Sequence, residues 1–269
     1  MPPPQITSRS NPQVKQVVRL QTQSSARREA GRFCVETARD LQRLIAGGGR
    51  VVALFVCPEV MGHRAAPADI DAPVTHIARP VLEKMAYRES PEGMVAVAEL
   101  PRRELADLEP GEAPLIVVCS GLEKPGNLGA ILRSADAAGV DAVLIDDPAC
   151  DLGNPNCIRA STGAVFALPI VCAAQTAVRG WLTEHGIAAV AASPDAQTPF
   201  TSADLTGGAA IVVGAEAEGL SEAWRRDADR TVRVPMRGRV VDSLNVSVTA
   251  ALLMFEARRQ RDMAQAGSG

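Results

Sequence analysis

From residue 115 onward the sequence alternates between short apolar, strand-like runs and longer helix-like segments. The strand-like runs are LIVVCS, AVLID, FALPIV, IAAVAA, AAIVVG and TVRVPM. A long helical pattern over 246–263 follows the last of them. Strands that alternate with helices usually form parallel sheets, because the chain has to cross the sheet before it can re-enter in the same direction. The pattern predicts an α/β domain with helices on both faces of a parallel sheet.

The first hundred residues predict a second, smaller α/β domain. Helical periodicity extends over 14–46. Three short strand-like runs follow it, at 51–56, 74–77 and 94–98. The stretch 101–114 is polar, contains prolines and has no apolar period, which is typical of a connection between domains. We therefore expect domains at 1–100 and 115–269 that are joined by a linker at 101–114.

Composition and the order of apolar residues exclude several classes of protein. No apolar run approaches the ~18 residues that a membrane helix needs, and the first residues lack the apolar stretch of a secretory signal. The six cysteines form no CxxC pair, and the three histidines lie far apart, so no zinc-ligand spacing is present. We expect a cytoplasmic protein that uses neither a membrane nor a metal.

The formal net charge of −3 conceals a basic N-terminal segment. Residues 1–50 contain nine Lys and Arg against three Asp and Glu, and 9 − 3 makes a local charge of +6. A second basic cluster extends from Arg225 to Arg239. Clusters of this kind bind polyanions through their phosphates. A solvated helical face explains the charge equally well, so charge alone leaves both interpretations open.

Polar loops follow three of the predicted strands, where parallel sheets bind their ligands. The first loop, 121–129, leads into a helix for which Asn127 is placed as the N-cap, and Arg133 on that helix is open to an anionic neighbour. The other two are 214–220 and 235–245. Their glycines let backbone groups approach a ligand, so two such loops can hold an adenine and a ribose. No GxGxxG fingerprint follows any strand.

Each candidate residue also has a purely structural explanation. Pro-Gly-Asn at 125–127 is common turn chemistry, and an arginine on a helix is usually solvated. Ser243 and Asn245 precede the last helix, where such residues commonly act as caps. The residues by themselves therefore predict an α/β domain with a polar pocket at its strand ends and basic surfaces beside it.

Four segments contain the most distinctive residues of the chain: PGNLGAILRSADAAGV (125–140), IRASTGAVFALPI (158–170), IVVGAEAEGLS (211–221) and VPMRGRVVDSLNVSVTAALLMFEARRQ (234–260). Their sequences and their order resemble those of the SpoU/TrmH family of RNA ribose 2′-O-methyltransferases, within the SPOUT superfamily. The segments SRSNPQVKQVVRL, ARREAGRFCVE and SPEGMVAVAE resemble the N-terminal RNA-binding domain, similar to the ribosomal L30e-like fold, that many members carry.

The resemblance implies a SPOUT-type parallel sheet with a C-terminal trefoil knot, an S-adenosylmethionine site built from the knot loops, and a homodimer. By position, the residues implied to contact the cofactor are Gly214, Val234, Met236 and Leu244. Those that match the polar active-site residues of the family are Asn127, Arg133, Glu216, Ser243 and Asn245.

The implied reaction is attack of a ribose 2′-oxygen on the sulfonium methyl group of the cofactor. A guanidinium is a poor base, so we expect Arg133 to hold a flanking phosphate and to stabilise the developing alkoxide. An N-terminal accessory domain is more usual among the ribosomal enzymes of the family, which favours 23S rRNA as substrate. The alternatives are a tRNA 2′-O-methyltransferase and a non-catalytic RNA-binding or ribosome-assembly protein of the same fold. Missing phosphate-binding motifs disfavour a metabolic nucleotide enzyme.

Overall fold

A computed structural model describes residues 5–62, 70–146, 151–216 and 218–267 of the chain. Contacts between residues divide it into two compact units. The first unit is Met1–Pro101 together with Asp151–Ala167, and the second is Arg102–Cys150 together with Leu168–Gly269. Within the described ranges, no helix combines the length and the apolar character that crossing a membrane requires.

The strands of the described chain are, in order, β1 (Gln5–Ile6), β2 (Phe33–Val35), β3 (Arg50–Val56), β4 (Val74–Ile77), β5 (Met94–Glu99), β6 (Leu115–Ser120), β7 (Ala142–Asp146), β8 (Ile170–Ala173), β9 (Ala188–Ala192), β10 (Thr198–Pro199), β11 (Ala209–Val213) and β12 (Arg230–Arg233). The helices are α1 (Pro12–Thr22), α2 (Ser24–Ala30), α3 (Ala38–Ala46), α4 (Pro58–Met61), α5 (Arg79–Met85), α6 (Pro125–Ala138), α7 (Pro155–Ser161), α8 (Ala164–Ala167), α9 (Gln175–Glu184), α10 (Glu222–Asp227) and α11 (Val246–Ala266). Short 3-10 turns lie at Leu105–Asp107 and Phe200–Ser202.

The first unit contains a mixed sheet in the order β1-β4-β3-β5-β2. β1 and β3 are parallel to β4, whereas β5 is antiparallel to both β3 and β2. The sheet shares an apolar core with α1, which contributes Val14, Val17 and Leu20 from one face of the helix. This spacing is the amphipathic pattern that buries one side of a helix on a sheet. A small N-terminal α/β unit is therefore present.

The prediction of helix throughout 14–46 is wrong in part. α2 ends at Gly31, whose φ of +62° is left-handed backbone that glycine adopts without a Cβ clash. The chain then enters β2, where Phe33, Cys34 and Val35 are all buried against β5. The apolar residues that extend the helical pattern in the sequence thus belong to a strand, because their partner strand lies far away along the chain.

The second unit contains a seven-stranded sheet in the order β10-β12-β9-β11-β6-β7-β8, and every recorded strand pair is parallel. The predicted parallel α/β sheet is confirmed. β6 and β11, at its centre, are buried at every position, as expected when helices cover both faces. The predicted strand FALPIV is wrong in its first part. Phe166 lies in α8, and the strand begins only at Ile170, after Pro169, which has no N–H to donate to the ladder.

The stretch 101–114, predicted as a linker, is not extended throughout. It contains the 3-10 turn Leu105–Asp107, in which Glu104 and Asp107 cap one another. Leu105 and Leu108 pack against the core of the second unit. Two apolar side chains without helical or strand periodicity are enough to attach an otherwise polar segment to that core.

The segment Asp151–Ala167 belongs to the first unit, although it lies within the predicted domain 115–269. Arg27 donates to the Asp151 carboxylate at 2.6 Å, and the Phe33 and Phe166 rings stack with centroids 5.8 Å apart. An ion pair with a nearly buried guanidinium and an aromatic contact thus hold the segment there.

α11 closes the second unit by packing against α6 and β11. Its buried residues Ala250, Leu253, Met254 and Ala257 recur at helical spacing. The helix follows the loop after β12, so its first turn lies beside the strand ends. The trefoil knot implied by the resemblance stays a prediction.

Candidate active site

Three loops leave the carboxyl ends of strands β6, β11 and β12. β6 and β11 are adjacent, and only β9 separates β11 from β12. Because all these strands are parallel, their carboxyl ends lie at one edge of the sheet. The loops carry all of the predicted site residues except Asn127 and Arg133, which lie on the helix that follows the first loop. The fold therefore brings the predicted site to one sheet edge.

The loop after β11 folds back on itself at Gly214. A Cβ on Gly214 would lie 2.3 Å from the carbonyl carbon and oxygen of Gly219, a distance that no side chain tolerates. The Gly219 N–H donates to the Ala215 carbonyl at 2.9 Å, and Gly219 has a φ of +69°. Glycine at both positions thus permits a tight loop that presents Glu216 at the sheet edge.

Asn127, Glu216 and Asn245 form one chain of hydrogen bonds. The Asn127 Nδ2 donates to Glu216 Oε1, and the Asn245 Nδ2 donates to Asn127 Oδ1 at 3.1 Å. The Oδ1 of Asn245 accepts from the Ser247 backbone N–H at 2.9 Å. Each amide thus uses both its donor and its acceptor, which orients the two asparagines and the carboxylate relative to one another.

The prediction that Asn127 caps its helix is wrong. α6 begins at Pro125, its N-cap is Lys124, and no side chain caps it. Proline is favoured at the first helical position, so the helix starts earlier than the asparagine suggests. Asn127 lies in the first turn, where its side chain reaches Glu216 and Asn245 instead.

Of Ser243 and Asn245, the two residues predicted as possible caps of α11, only Asn245 is a cap. It is the N-cap of α11, and its Oδ1 also accepts from the Ser247 hydroxyl at 2.7 Å. The capping interpretation of Asn245 is confirmed, and the same side chain also takes part in the hydrogen-bond chain with Asn127. Ser243 is exposed and makes no hydrogen bond with the part of the chain that the structure describes, so a capping role for it is wrong.

Arg133 is exposed on α6, one to two turns beyond Asn127. Within the described residues its guanidinium takes part in no hydrogen bond or ion pair. Arg233, Arg237 and Arg239, at and after the end of β12, are also exposed and lack such partners there. Exposed guanidiniums without a partner are available to bind phosphate.

The stretch from Val234 to Leu244 is neither helix nor strand. Its backbone and side chains make no hydrogen bond with any described residue, so its N–H and C=O groups are available to a ligand. Val234, Met236 and Leu244 are half-buried. Free backbone groups beside partly buried apolar side chains match an adenine ring, which needs both flat apolar contact and edge hydrogen bonds.

Asp146 and Trp224 join the end of β7 to the helix that follows the Gly214 loop, and the sequence analysis did not find them. Asp146 ends β7 and is fully buried, and its Oδ2 accepts from the Trp224 indole N–H. Trp224 lies in α10, which follows the Gly214 loop and is capped by Ser221. The available signal was a carboxylate at the end of the otherwise apolar run AVLID.

In the first unit the structure divides the basic segment into engaged and unengaged side chains. Six arginines make an ion pair or a hydrogen bond: Arg9, Arg27, Arg32, Arg39, Arg43 and Arg50. Lys15, Arg19 and Arg28, on α1 and α2, are exposed and have no partner among the described residues. We call these three the α1–α2 basic face.

Two observations concern the cysteines and the acidic residues of the described chain. Burial raises the pKa of the Cys34 thiol, so it stays protonated and unreactive. No group of three His, Cys, Asp or Glu side chains that could hold a metal occurs in the described ranges.

Two family models match the chain. Residues 114–255 match the SpoU rRNA Methylase family, and residues 11–96 match an MRM3-like substrate binding domain. The first match covers the whole predicted site, from Asn127 to Asn245.

Several known proteins are similar to this chain over most of its length. The 23S rRNA (guanosine-2′-O-)-methyltransferase RlmB of Photobacterium profundum is 33% identical over 226 residues, which cover 80% of this chain and 91% of that protein. A crystal structure of an RNA 2′-O ribose methyltransferase is 42% identical with a TM-score of 0.82, covering 96% of this chain and 99% of that one. An AdoMet-bound rRNA methyltransferase from Sinorhizobium meliloti is 29% identical with a TM-score of 0.86, covering 95% and 97%.

Proposed function

Because the chain belongs to the SpoU rRNA methylase family, we propose that it transfers a methyl group from S-adenosylmethionine to a ribose 2′-oxygen of 23S rRNA. One observation of the structure carries this assignment. Asn127, Glu216 and Asn245 are joined by hydrogen bonds at the edge of the sheet. The stretch from Val234 to Leu244, which makes no hydrogen bond with any described residue, ends directly before Asn245. The helix of Asn127 also carries Arg133, which has no partner among the described residues. A ribosomal substrate places the protein in the cytoplasm.

The residues at the strand ends fit S-adenosylmethionine. The free backbone groups between Val234 and Leu244 would hydrogen-bond the adenine, and the side chains of Val234, Met236 and Leu244 would enclose it. Gly214 would let its loop approach the ribose closely. When bound, the cofactor supplies an electrophilic methyl group on its sulfonium. We expect no metal to take part, since the sulfonium already carries the positive charge that activates this group.

Arg133 has the chemistry to activate the ribose through charge. A guanidinium is already fully protonated at neutral pH and has no site that could accept a proton, so it cannot be the base. It can bind the phosphate next to the target ribose in a two-pronged contact, which aligns the 2′-oxygen for attack and stabilises the charge that develops there. It has no partner among the residues that the structure describes, which leaves it free to do so. The proton leaves to the phosphate, to water or to a neighbouring side chain.

The other polar residues orient the reaction. Asn127 and Asn245 hold Glu216 at the sheet edge, where its second oxygen can accept from a ribose hydroxyl or from an arginine. Ser243 is exposed beside Asn245, and its hydroxyl is free to contact the RNA. These roles make the cluster a positioning device for two ligands, which is the main demand of methyl transfer.

The first unit makes the initial contacts with RNA. Phosphate contacts from basic side chains steer and position RNA without reading its sequence. A ribose within a duplex is hard to bring against a buried methyl donor, so the target nucleotide lies in a loop or is unstacked on binding.

Replacing the α1–α2 basic face by glutamine (Lys15→Gln, Arg19→Gln and Arg28→Gln together) should weaken RNA binding about tenfold or more in low salt. Each lost phosphate contact removes roughly 0.7–0.9 from the slope of log affinity against log salt, so the slope should fall by about two. Filter binding of an rRNA fragment over a salt series measures both. The control is the triple change Arg32→Gln, Arg39→Gln and Arg50→Gln, which removes equal charge from arginines already paired with carboxylates. Equal losses in the two triples would contradict the assignment.

A second copy of this chain is the partner that the surface of α11 favours. Val248, Leu252 and Phe255 are exposed to 46%, 38% and 49% and follow one another at helical spacing on one side of the helix. Met263, further along, is 62% exposed. An apolar stripe of this kind marks an interaction surface, and a two-fold axis would bury it against itself. We therefore include a homodimer in the proposal.

The change Phe255→Glu should convert the dimer to monomer at micromolar concentration. It places two carboxylates against each other across a two-fold interface, which should raise the dissociation constant at least about 100-fold. Light scattering after size exclusion measures the mass directly. Ile45→Glu is the control, because Ile45 is also an exposed apolar residue on a helix but lies in the first unit. A dimeric Phe255→Glu variant would contradict this interface.

The test of the proposed function is transfer of labelled methyl from S-adenosylmethionine to unmodified 23S rRNA and, separately, to unmodified tRNA. Label in rRNA that protects one linkage from alkali would establish 2′-O-methylation and identify the nucleotide. Label in tRNA alone would overturn the substrate. The protein could instead bind the cofactor and transfer no label to either RNA, whether that RNA is protein-free or part of an assembly intermediate. This result would favour the non-catalytic alternative.

A further inference from the structure

Arg258, on α11, makes a contact that none of the sequence motifs accounts for. Its guanidinium donates three hydrogen bonds to the end of α6: Nε and Nη2 to the Ala138 carbonyl at 3.1 and 3.0 Å, and Nη2 to the Gly139 carbonyl at 3.1 Å. The turn after α6 uses other carbonyls, since Val140 N–H donates to Ala135 and Gly139 N–H to Asp136. Arg258 therefore binds carbonyls that the helix leaves without an intrahelical donor, at its negative end.

The same two helices are joined at their other ends through the site. Asn245, the cap of α11, donates to Asn127 in the first turn of α6. α6 and α11 therefore run side by side in the same direction, with a connection near each end of α6. At 1.5 Å per residue, the two connections are about 17 Å apart along α6 and about 20 Å apart along α11.

We propose that Arg258 is a positioning residue, which sets the axial register of α6 against α11 and so keeps Asn127 and Arg133 aligned with Glu216 and Asn245. The buried residues of these helices include Ala135, Ala250 and Ala257 beside larger ones, and small side chains interdigitate less deeply than large ones do. A forked guanidinium bonded to two successive carbonyls fixes a position along the axis, which a single point charge does less well. This inference rests on the proposed function.

Arg261 provides a matched control on the same helix. Like Arg258, it donates to backbone carbonyls, namely those of Ala113, Pro114, Leu205 and Gly207, whereas Arg258 also makes an exposed ion pair with Asp262 at 3.9 Å. None of these lies on α6. Arg258→Ala and Arg261→Ala therefore remove comparable hydrogen bonds from α11, but only the first frees α6.

We expect Arg258→Ala to lower kcat about tenfold or more, with KM for RNA and for the cofactor changed less than about twofold, because misplacement by a fraction of an ångström affects the aligned state most. Arg258→Lys should recover part of the loss. Arg261→Ala should lower the melting temperature by as much as Arg258→Ala while kcat stays within about twofold. A normal kcat in Arg258→Ala, or an equal loss in Arg261→Ala, would overturn the proposal.

Two further measurements keep this test independent. If Arg258→Ala does not fold, Gly139→Ala perturbs the same contact, since its Cβ would lie 2.6 Å from Arg258 Nη2. If the wild-type chain transfers no methyl group, the proposed function fails, and the register is then read by hydrogen exchange. Faster exchange in the first turns of α6 in Arg258→Ala than in Arg261→Ala would still support the positioning role, and equal exchange would refute it.

Discussion

Replacing Arg133 by alanine is expected to reduce methyl transfer about 100- to 1,000-fold while S-adenosylmethionine still binds. The magnitude is that of removing one donor that stabilises developing charge in a transition state. The residues proposed to contact the cofactor, Gly214, Val234, Met236 and Leu244, lie on other loops, so isothermal titration with the cofactor should give an unchanged dissociation constant. Single-turnover transfer to rRNA measures the chemical step.

Two companion variants make the Arg133 result specific. Arg133→Lys keeps the charge but loses the two-pronged contact, so most of the activity should still disappear. Arg103→Ala removes an exposed arginine of the same unit that lies outside both basic clusters, and it should leave the rate within about twofold of wild type. If Arg133→Lys turned over at a near-normal rate, the phosphate-holding role would be wrong.

Replacing Gly214 by alanine is expected to remove nearly all activity and to weaken cofactor binding as well. The added Cβ would lie 2.3 Å from the Gly219 carbonyl and 2.5 Å from the Leu220 nitrogen, so the loop has to open. Overpacking of this kind costs about 1–3 kcal/mol of stability. Glu216 would move with the loop and lose Asn127, which should cost at least about 100-fold in rate.

Gly207→Ala is the control for this loop, because a Cβ on Gly207 meets no atom within 4 Å. Both variants change a glycine of the second unit by one methyl group. We expect thermal unfolding and cofactor titration of Gly207→Ala to match wild type, and those of Gly214→Ala to show a lower melting temperature and weaker binding. A fully active Gly214→Ala variant would show that the loop does not need its closed form.

Much of the fold could be predicted because burial leaves a direct trace in the order of residues. A central parallel strand is apolar throughout, and LIVVCS and AAIVV are buried along their whole lengths. The prediction failed where the local pattern was ambiguous. Residues 33–35 continue a helical pattern but form β2, because pairing with β5 outweighs local preference.

The candidate site shows the same division. The family motifs identify Asn127, Glu216 and Asn245 as site residues, and the structure joins them in one hydrogen-bond chain. The motifs predict the wrong local role for Asn127, since its residue type favours capping whether or not a distant acceptor exists. Asp146 and Arg258 were missed because each acts on a partner far along the chain.

The sequence by itself determined the α/β class, the parallel sheet of the second half and the family of the chain, because periodicity and motifs are properties of neighbouring residues. Only the tertiary structure decided which side chains meet. Asn127 contacts residues that lie 89 and 118 positions away, and Arg258 reaches a carbonyl 120 positions away. Such hydrogen bonds form only after strands and helices have packed. The register of that packing depends on the summed contacts of the core, which no local pattern contains.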